Sequence, residues 1–277
     1  MKAGLIQLNS SDDPAANLPV TCAMVQQAAG EGATFVLTPE VTNCVSASRT
    51  RQKDVLQHQD DDITLAALRD EAKALGIWLL IGSLALKTDD PDGRFANRSF
   101  LIGPDGKIHA WYDKIHMFDV TVSETESYRE SAGYRPGTRA VLCPTPFAQI
   151  GLTVCYDLRF PALYRTLASA GAEILTVPSA FSPVTGAAHW ETLLRARAIE
   201  TGAYVLAPAQ TGTHATSRGK ARQTYGHSLA VGPWGDVLAD AETDPGVIVV
   251  DVDADQVTQA RARIPSLKAR RPYKDPS

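Results

Sequence analysis

Four segments in the first half of this 277-residue chain recur, in the same order, in the second half, and that shared order constrains the fold more than any single motif. Ala3-Gly4-Leu5-Ile6-Gln7-Leu8 is echoed by Ile150-Gly151-Leu152-Thr153-Val154-Cys155. Gly32-Ala33-Thr34-Phe35-Val36-Leu37-Thr38-Pro39-Glu40 is echoed by Gly171-Ala172-Glu173-Ile174-Leu175-Thr176-Val177-Pro178-Ser179. Gly76-Ile77-Trp78-Leu79-Leu80-Ile81 lines up with Gly202-Ala203-Tyr204-Val205-Leu206-Ala207. The clearest pair runs from Ser99 to Ala110 and from Ser228 to Ala239, around Gly103-Pro104-Asp105-Gly106 and Gly232-Pro233-Trp234-Gly235.

Each half therefore reads as strand, helix, strand, helix, strand and hairpin. The runs 35–37, 77–81 and 174–177 are short and apolar throughout, as strands buried on both faces are. Leu65, Leu68, Ala72 and Leu75 recur at helical spacing, and Leu193, Leu194, Ala198 and Ile199 do so less regularly. Gly76 and Gly202 supply the left-handed residue that ends a helix, while Gly106 and Gly235 take the corresponding place in the hairpin turns. Two such halves bury their apolar strands most economically as two sheets packed face to face with helices outside. The expected fold is an α/β four-layer αββα sandwich with an internal two-fold pseudo-repeat, one domain spanning residues 1–277.

Composition narrows the partners. A net charge of −4 excludes a general nucleic-acid binder, which needs a basic surface. The one basic cluster, Lys268-Ala269-Arg270-Arg271-Pro272, reads as a solvated tail or a subunit contact. Four cysteines without CxxC spacing fit a reducing compartment better than a disulfide framework or a zinc site, and the six dispersed histidines show no HxxxH pair. No metal and no cofactor is expected. The N-terminus reads directly as a strand without a signal-peptide pattern, and no apolar run nears the roughly 20 residues of a membrane span. The expectation is a cytoplasmic protein with no membrane partner.

Three reactive residues stand where strands end, the region in which open α/β sheets bind ligands. Glu40 follows Phe35-Val36-Leu37-Thr38-Pro39, Lys114 follows Trp111-Tyr112-Asp113, and Cys155 follows Ile150-Gly151-Leu152-Thr153-Val154. A cysteine on a sharp strand-to-helix turn is well placed to attack a carbonyl. A thiol with an ordinary pKa of about 8.5 is mostly protonated near neutrality, so it needs a base, and Glu40 is one. The oxyanion formed by attack needs positive charge or donors, which Lys114 and the backbone N–H of Tyr156 can supply. Spacing leaves the bland alternatives open: a buried structural cysteine, a surface acid and a solvated lysine.

The stretch Cys155-Tyr156-Asp157-Leu158-Arg159-Phe160-Pro161 resembles the nucleophile segment of the nitrilase, or carbon–nitrogen hydrolase, superfamily. Thr38-Pro39-Glu40 is similar to its base segment, and Tyr112-Asp113-Lys114-Ile115-His116-Met117-Phe118-Asp119 to its lysine segment. Glu130-Ser131 with Arg135-Pro136-Gly137 resembles the loop bearing the second glutamate. Pro178-Ser179-Ala180-Phe181, Thr185-Gly186, His189-Trp190-Glu191, Arg195-Ala196-Arg197-Ala198-Ile199-Glu200, Tyr225-Gly226-His227-Ser228 and the tail Ile264-Pro265 with Arg270-Arg271-Pro272 resemble the Nit branch, which includes amidases of deaminated glutathione. The resemblance covers essentially the whole chain and carries the same fold. It implies that Cys155 is acylated, Glu40 acts as general base and acid, and Lys114 stabilises the tetrahedral intermediate. Glu130 would orient Lys114 or assist proton transfer; its physical alternative is an acid paired with Arg129 or Arg135. Gly186-Ala187-Ala188-His189-Trp190 departs mildly from the family's Gly-Pro-Ala-His-Trp, and the Thr-, Ser- and Glu-rich loop 120–128 is where branches differ.

These departures bear on substrate choice. Tyr156, Arg159, Phe181 and Thr185 are the candidate substrate-binding residues. Arg159 can hold a carboxylate in a bidentate pair, or can sit in an ion pair with Asp157 or Glu173. A carboxylate at Arg159 would fit a small-molecule α-keto-acid amide such as deaminated glutathione or, for an omega-amidase, 2-oxoglutaramate. The rivals are an N-carbamoyl-amine hydrolase or nitrilase using the same residues, and a non-catalytic scaffold keeping only the fold. No G-x-S-x-G occurs to suggest a serine hydrolase. The family resemblance also implies a homodimer or larger homo-oligomer.

Overall fold

In the computed structural model, which describes residues 1–121, 127–269, 271 and 274, each half of the chain builds one six-stranded sheet. Residues 122–126 of the 120–128 loop, and Arg270 and Pro272 of the C-terminal motif, lie outside the described residues. The first half runs β1 (Lys2–Gln7), α1 (Pro14–Gly30), β2 (Phe35–Leu37), α2 (Arg49–Val55), α3 (Ile63–Leu75), β3 (Trp78–Leu86), β4 (Ala96–Ile102) and β5 (Ile108–Asp113). A ribbon of β6 (Asp119–Thr121) and β7 (Ser127–Arg129) then leads into β8 (Val141–Pro144). The second half runs β9 (Gln149–Leu152), α4 (Pro161–Ser169), β10 (Ile174–Thr176), α5 (Pro183–Thr201) and β11 (Tyr204–Ala207). After the ribbon β12 (Thr211–Thr213) and β13 (Gln223–Tyr225) come β14 (Leu229–Val231), β15 (Val237–Asp240), β16 (Gly246–Asp251) and α6 (Ala254–Arg263).

The two strand orders, β16-β1-β2-β3-β4-β5 and β15-β14-β11-β10-β9-β8, superpose when one is read backwards. β1, β2 and β3 pair in parallel, as do β9, β10 and β11, and each hairpin adds two antiparallel strands. The edge strands carry a feature that the repeat does not predict. β8 follows the first half but pairs with β9, and β16 follows the second half but pairs with β1, both antiparallel. Each half thus lends its last strand to the other sheet, so neither sheet is complete without both halves.

Alternation along the strands makes the four layers. Ala3, Leu5, Phe35, Leu37 and Leu80 face the second sheet, where Ile150, Leu152, Ile174 and Leu175 belong to the same buried cluster. Ile6, Val36, Leu79 and Ile81 point the other way, onto Val25 and Ala28 of α1 and Leu65, Leu68 and Ala72 of α3. α4 and α5 cover the outer face of the second sheet. The helix ends behave as expected: Gly76 and Gly202 are left-handed at φ 66° and 55°, and the hairpin glycines Gly106 and Gly235 lie at 75° and 90°. One expectation shifts, because Ile199 is 55% exposed and α5 instead buries Gly186, Trp190, Leu194, Arg197, Ala198 and Thr201. Among the described residues no helix is long and apolar enough to cross a membrane.

Where strand ends meet, polar side chains lock the halves together. Gln7 accepts from the Ser228 N–H at 2.7 Å, and Gln210 donates to the Glu40 carbonyl at 3.1 Å. Gly82 lies where the two β-to-loop turns converge; a Cβ there would stand 2.0 Å from the Thr38 carbonyl oxygen and 2.5 Å from the Pro178 Cβ. His214, 1% exposed, donates from Nδ1 to the Ser10 carbonyl and accepts at Nε2 from the Thr224 hydroxyl, each at 2.7 Å. That pattern needs the neutral ring, and burial lowers its pKa from 6.5 to about 4. The unfolded chain takes up this proton near pH 6.5 and the folded chain only near pH 4, so stability falls as pH drops through that window. Linkage sets the loss between pH 7 and 5 at about 2 kcal/mol from this residue. His214→Gln is expected to flatten that slope, measured as the difference in urea midpoint between the two pH values; an unchanged slope would remove His214 as its source.

Candidate active site

Cys155 sits at φ +51°, in the left-handed region that is uncommon for a residue with a side chain. The strain is held from both sides. The Cys155 N–H donates to the Pro178 carbonyl at 2.9 Å, and Asp157 reaches back to accept the Val154 N–H at 2.9 Å. A turn of 3-10 helix over Cys155–Arg159 then leads to Pro161, whose fixed φ opens α4. The strand-to-helix elbow read from the sequence is therefore present, with a short 3-10 turn inserted before the helix proper. Arg197 of α5 supports it by donating to the Leu158 carbonyl at 3.0 and 2.9 Å.

Glu40 and Lys114 come to this elbow from the other sheet. Each is nearly inaccessible, at 3% and 2% exposure, and Cys155 is 6% exposed. Lys114 Nζ donates to Glu40 Oε1 at 2.9 Å and to both oxygens of Glu130 at 2.9 and 2.8 Å. The second oxygen of Glu40 accepts from the Ala180 N–H at 2.8 Å, and Asn97 Nδ2 donates to Oε1 at 2.9 Å. The buried Cys155 thiol lies within the electrostatic reach of the Glu40 carboxylate and the Lys114 ammonium. The Lys114 backbone is pinned too: its N–H donates to the Asn97 carbonyl, and its carbonyl accepts from Gly137 of the Arg135-Pro136-Gly137 motif. Glu130 further accepts the Phe118 N–H at 2.6 Å. Arg135 pairs with Asp90 and Arg129 bonds to the Tyr128 carbonyl, so among the described residues Glu130 has Lys114, not an arginine, as its ion-pair partner.

These contacts decide protonation. Burial acts to raise the Glu40 carboxyl, but the Lys114 ammonium and the Arg222 guanidinium outweigh it and hold the pKa below the ordinary value. Burial opposes the charge on Lys114, and the carboxylates of Glu130 and Glu40 more than restore it, so the ammonium persists well above its usual range. Burial pushes the Cys155 thiol upward, the Glu40 carboxylate adds to this, and Lys114 only partly offsets them. At neutral pH the arrangement is an ionised carboxylate and a cation near a neutral thiol. Such a set can move a proton from sulfur to carboxylate as the sulfur attacks, and can neutralise an oxyanion.

Several residues in this network had no role assigned from sequence. Asp157, fully buried, accepts from the Tyr112 hydroxyl at 2.7 Å, the His116 N–H at 3.0 Å and His116 Nδ1 at 2.7 Å. His116 stacks on Phe160 with ring centroids 3.5 Å apart. Asp157 and His116 each lie two residues beyond a reactive residue, so this contact ties the Cys155 turn to the Lys114 turn. Arg159 pairs with neither Asp157 nor Glu173. Its guanidinium lies 3.3 Å from His189 Nδ1 and 5.4 Å from the centre of the Phe181 ring. Phe181 is buried against Trp190, Tyr156 packs edge-on to Phe118 and Phe160, and Thr185 caps back to the Ser182 carbonyl.

The model of one family, carbon-nitrogen hydrolase, matches residues 2–262. The deaminated glutathione amidase of Yersinia enterocolitica is 37% identical over 96% of this chain and 92% of that protein. The NitFhit protein of C. elegans superposes with a TM-score of 0.89 at 34% identity, covering 98% of this chain; this chain spans 65% of that longer protein. An amidase from Nesterenkonia sp. AN1, in a mutant form bearing acrylamide added to its active site cysteine, superposes with a TM-score of 0.77 at 26% identity, over 95% of this chain and 98% of that one. The fold, the closely packed Cys155, Glu40 and Lys114, and the full-length matches agree: the chain belongs to the carbon–nitrogen hydrolase family, enzymes that hydrolyse non-peptide C–N bonds.

Proposed function

We propose that this enzyme cleaves the amide of a small, carboxylate-bearing acyl group, deaminated glutathione or a similar α-keto-acid amide, through a thioester on Cys155. The observation that carries the chemistry is the Lys114 ammonium bridging Glu40 to Glu130 beside the buried, left-handed Cys155. Sulfur attacks the amide carbon as Glu40 takes the thiol proton, and the carbonyl electron pair moves onto oxygen. Lys114 and the Tyr156 N–H stabilise that oxyanion, while Glu130 keeps the ammonium in place. Collapse expels the amine, which leaves with the proton from Glu40. Water then attacks the thioester as Glu40 takes one of its protons, and the thiol departs with that proton returned. The products are a carboxylic acid and an amine.

Release of amine or ammonia from a panel of keto-acid amides, with Cys155→Ala as control, tests the proposal; no release, or equal release by the control, would overturn it. Support for the substrate class comes from Arg159, which among the described residues has no carboxylate partner and stands over the Phe181 ring with both Nη atoms 3.3 Å from His189 Nδ1. Arg159→Ala is expected to raise KM for an anionic amide by about tenfold or more relative to a neutral amide, the loss of one charge-assisted contact. Equal losses for both would remove the carboxylate role. For location and assembly we propose a cytoplasmic homodimer or larger oligomer, on cysteine usage and family resemblance.

A further inference from the structure

We propose that Arg49 and Arg222 form a second anion subsite, beside Glu40, which receives a carboxylate carried by the amine part of the substrate. The inference rests on the amidase function above and adds to it the chemistry of the leaving group. Arg222 precedes β13 and donates to the Ala180 carbonyl at 2.8 Å, on the residue whose N–H binds Glu40. Its charge acts directly on Glu40, the group that hands a proton to the departing amine. Arg49 opens α2. Phe95 and Tyr134, over which Arg49 stands, and Ala180, which Arg222 touches, belong to one buried cluster.

The surroundings of Arg49 look built to present a cation. Its guanidinium lies 5.3 Å from the Phe95 ring centre and 5.4 Å from that of Tyr134. It fills the space that a side chain at position 133 would need, since a Cβ on Gly133 would stand 1.1 Å from Arg49 Nη2. Gln52 joins the cluster, accepting from Arg49 at 3.3 Å and donating to the Tyr134 hydroxyl at 2.7 Å. Aromatic faces hold the plane of a guanidinium and leave its N–H edge for a planar anion. Among the described residues neither Arg49 nor Arg222 forms an ion pair, and the partners they hold, Gln52 Oε1 and the Ala180 carbonyl, are neutral. Glu40 and Glu130 are already engaged by Lys114. Two half-buried guanidiniums without an acid, on the side of the proton donor, are the complement of a carboxylate on the leaving amine. Arg159, at the Phe181 ring, is then left for the acyl carboxylate.

Binding measured without turnover tests this. Cys155→Ala protein is titrated calorimetrically with deaminated glutathione and with its C-terminal carboxamide. The carboxylate form is expected to bind about tenfold tighter or more. Arg49→Gln and Arg222→Gln are each expected to shrink that preference, and Arg49→Lys and Arg222→Lys to retain part of it. Equal affinity for the two ligands in the starting protein, or a preference that survives both glutamine substitutions, overturns the subsite. Failure of wild-type protein to hydrolyse any amide would instead overturn the amidase function and leave this binding comparison intact.

Discussion

Replacing Cys155 with alanine is expected to lower amide turnover by about a thousandfold or more, with little change in stability. The size follows from what is removed: without sulfur there is no thioester, and the remaining groups cannot divide the reaction into two easier steps. Stability changes little because the thiol is neutral in the folded protein and Glu40 keeps Lys114, Asn97 and the Ala180 N–H as partners. Loss of one small buried group costs about 1 kcal/mol. Glu40→Gln is expected to cost turnover on the same scale, and the double variant no more than either single one, because in the proposed mechanism nucleophile and base act as a unit. Removing the Glu40 charge also removes one cause of the raised thiol pKa, so alkylation of Cys155 in Glu40→Gln should begin at lower pH than in the wild type. Turnover by single-turnover kinetics and adduct formation by mass spectrometry separate the two effects. Full activity without Cys155, or no acyl adduct on it in the wild type, would return the chain to the scaffold alternative.

How far sequence reaches is visible in which of these residues it could name. Glu40, Lys114 and Cys155 follow strands whose apolar runs and order in the repeat are visible in the chain, so their common location beyond the strand ends was legible. Their mutual contacts were not, because they arise only when two sheets pack face to face. Asn97 has no marker at all: it lies within β4, paired with Ala85, and reaches the site only because β4 stands next to β5. Asp157 and His116 sit inside the quoted motifs, but their contact joins segments 41 residues apart in the chain. The exchanged strands β8 and β16 escaped for a related reason. Comparing halves finds what each half contains, and these strands belong by sequence to one half and by pairing to the other. The loose apolar spacing puts Ile199 on the buried face of α5, and the helix instead buries Trp190 and Arg197 through specific contacts below it.

Lys114→Met should be the most damaging substitution in the site, for stability and activity together. Methionine fills much of the same volume but leaves the buried Glu40 and the half-buried Glu130 with no ammonium between them. Removing one partner of a buried ion pair costs about 3–5 kcal/mol, far more than the pair contributes over an apolar substitute. The pH dependence reverses sign. In the wild type the Glu40 pKa is depressed, so its contribution is present above the ordinary carboxylate value near 4.5 and is lost as pH falls through the folded value. In the variant the Lys114 ammonium no longer opposes burial, and Arg222 with the Asn97 and Ala180 donors is left against it, so the Glu40 pKa rises; the protein then loses stability as pH increases through that raised value. The acid limb of kcat/KM should move the same way, from below the ordinary carboxylate range in the wild type to above it in any residual activity of the variant. Urea unfolding at pH 5 and pH 8 reads the first effect: the variant should be relatively better at pH 5. A variant with the wild-type pH trend would mean that Glu40 owes its ionisation to groups other than Lys114, and Arg222 would become the next residue to replace.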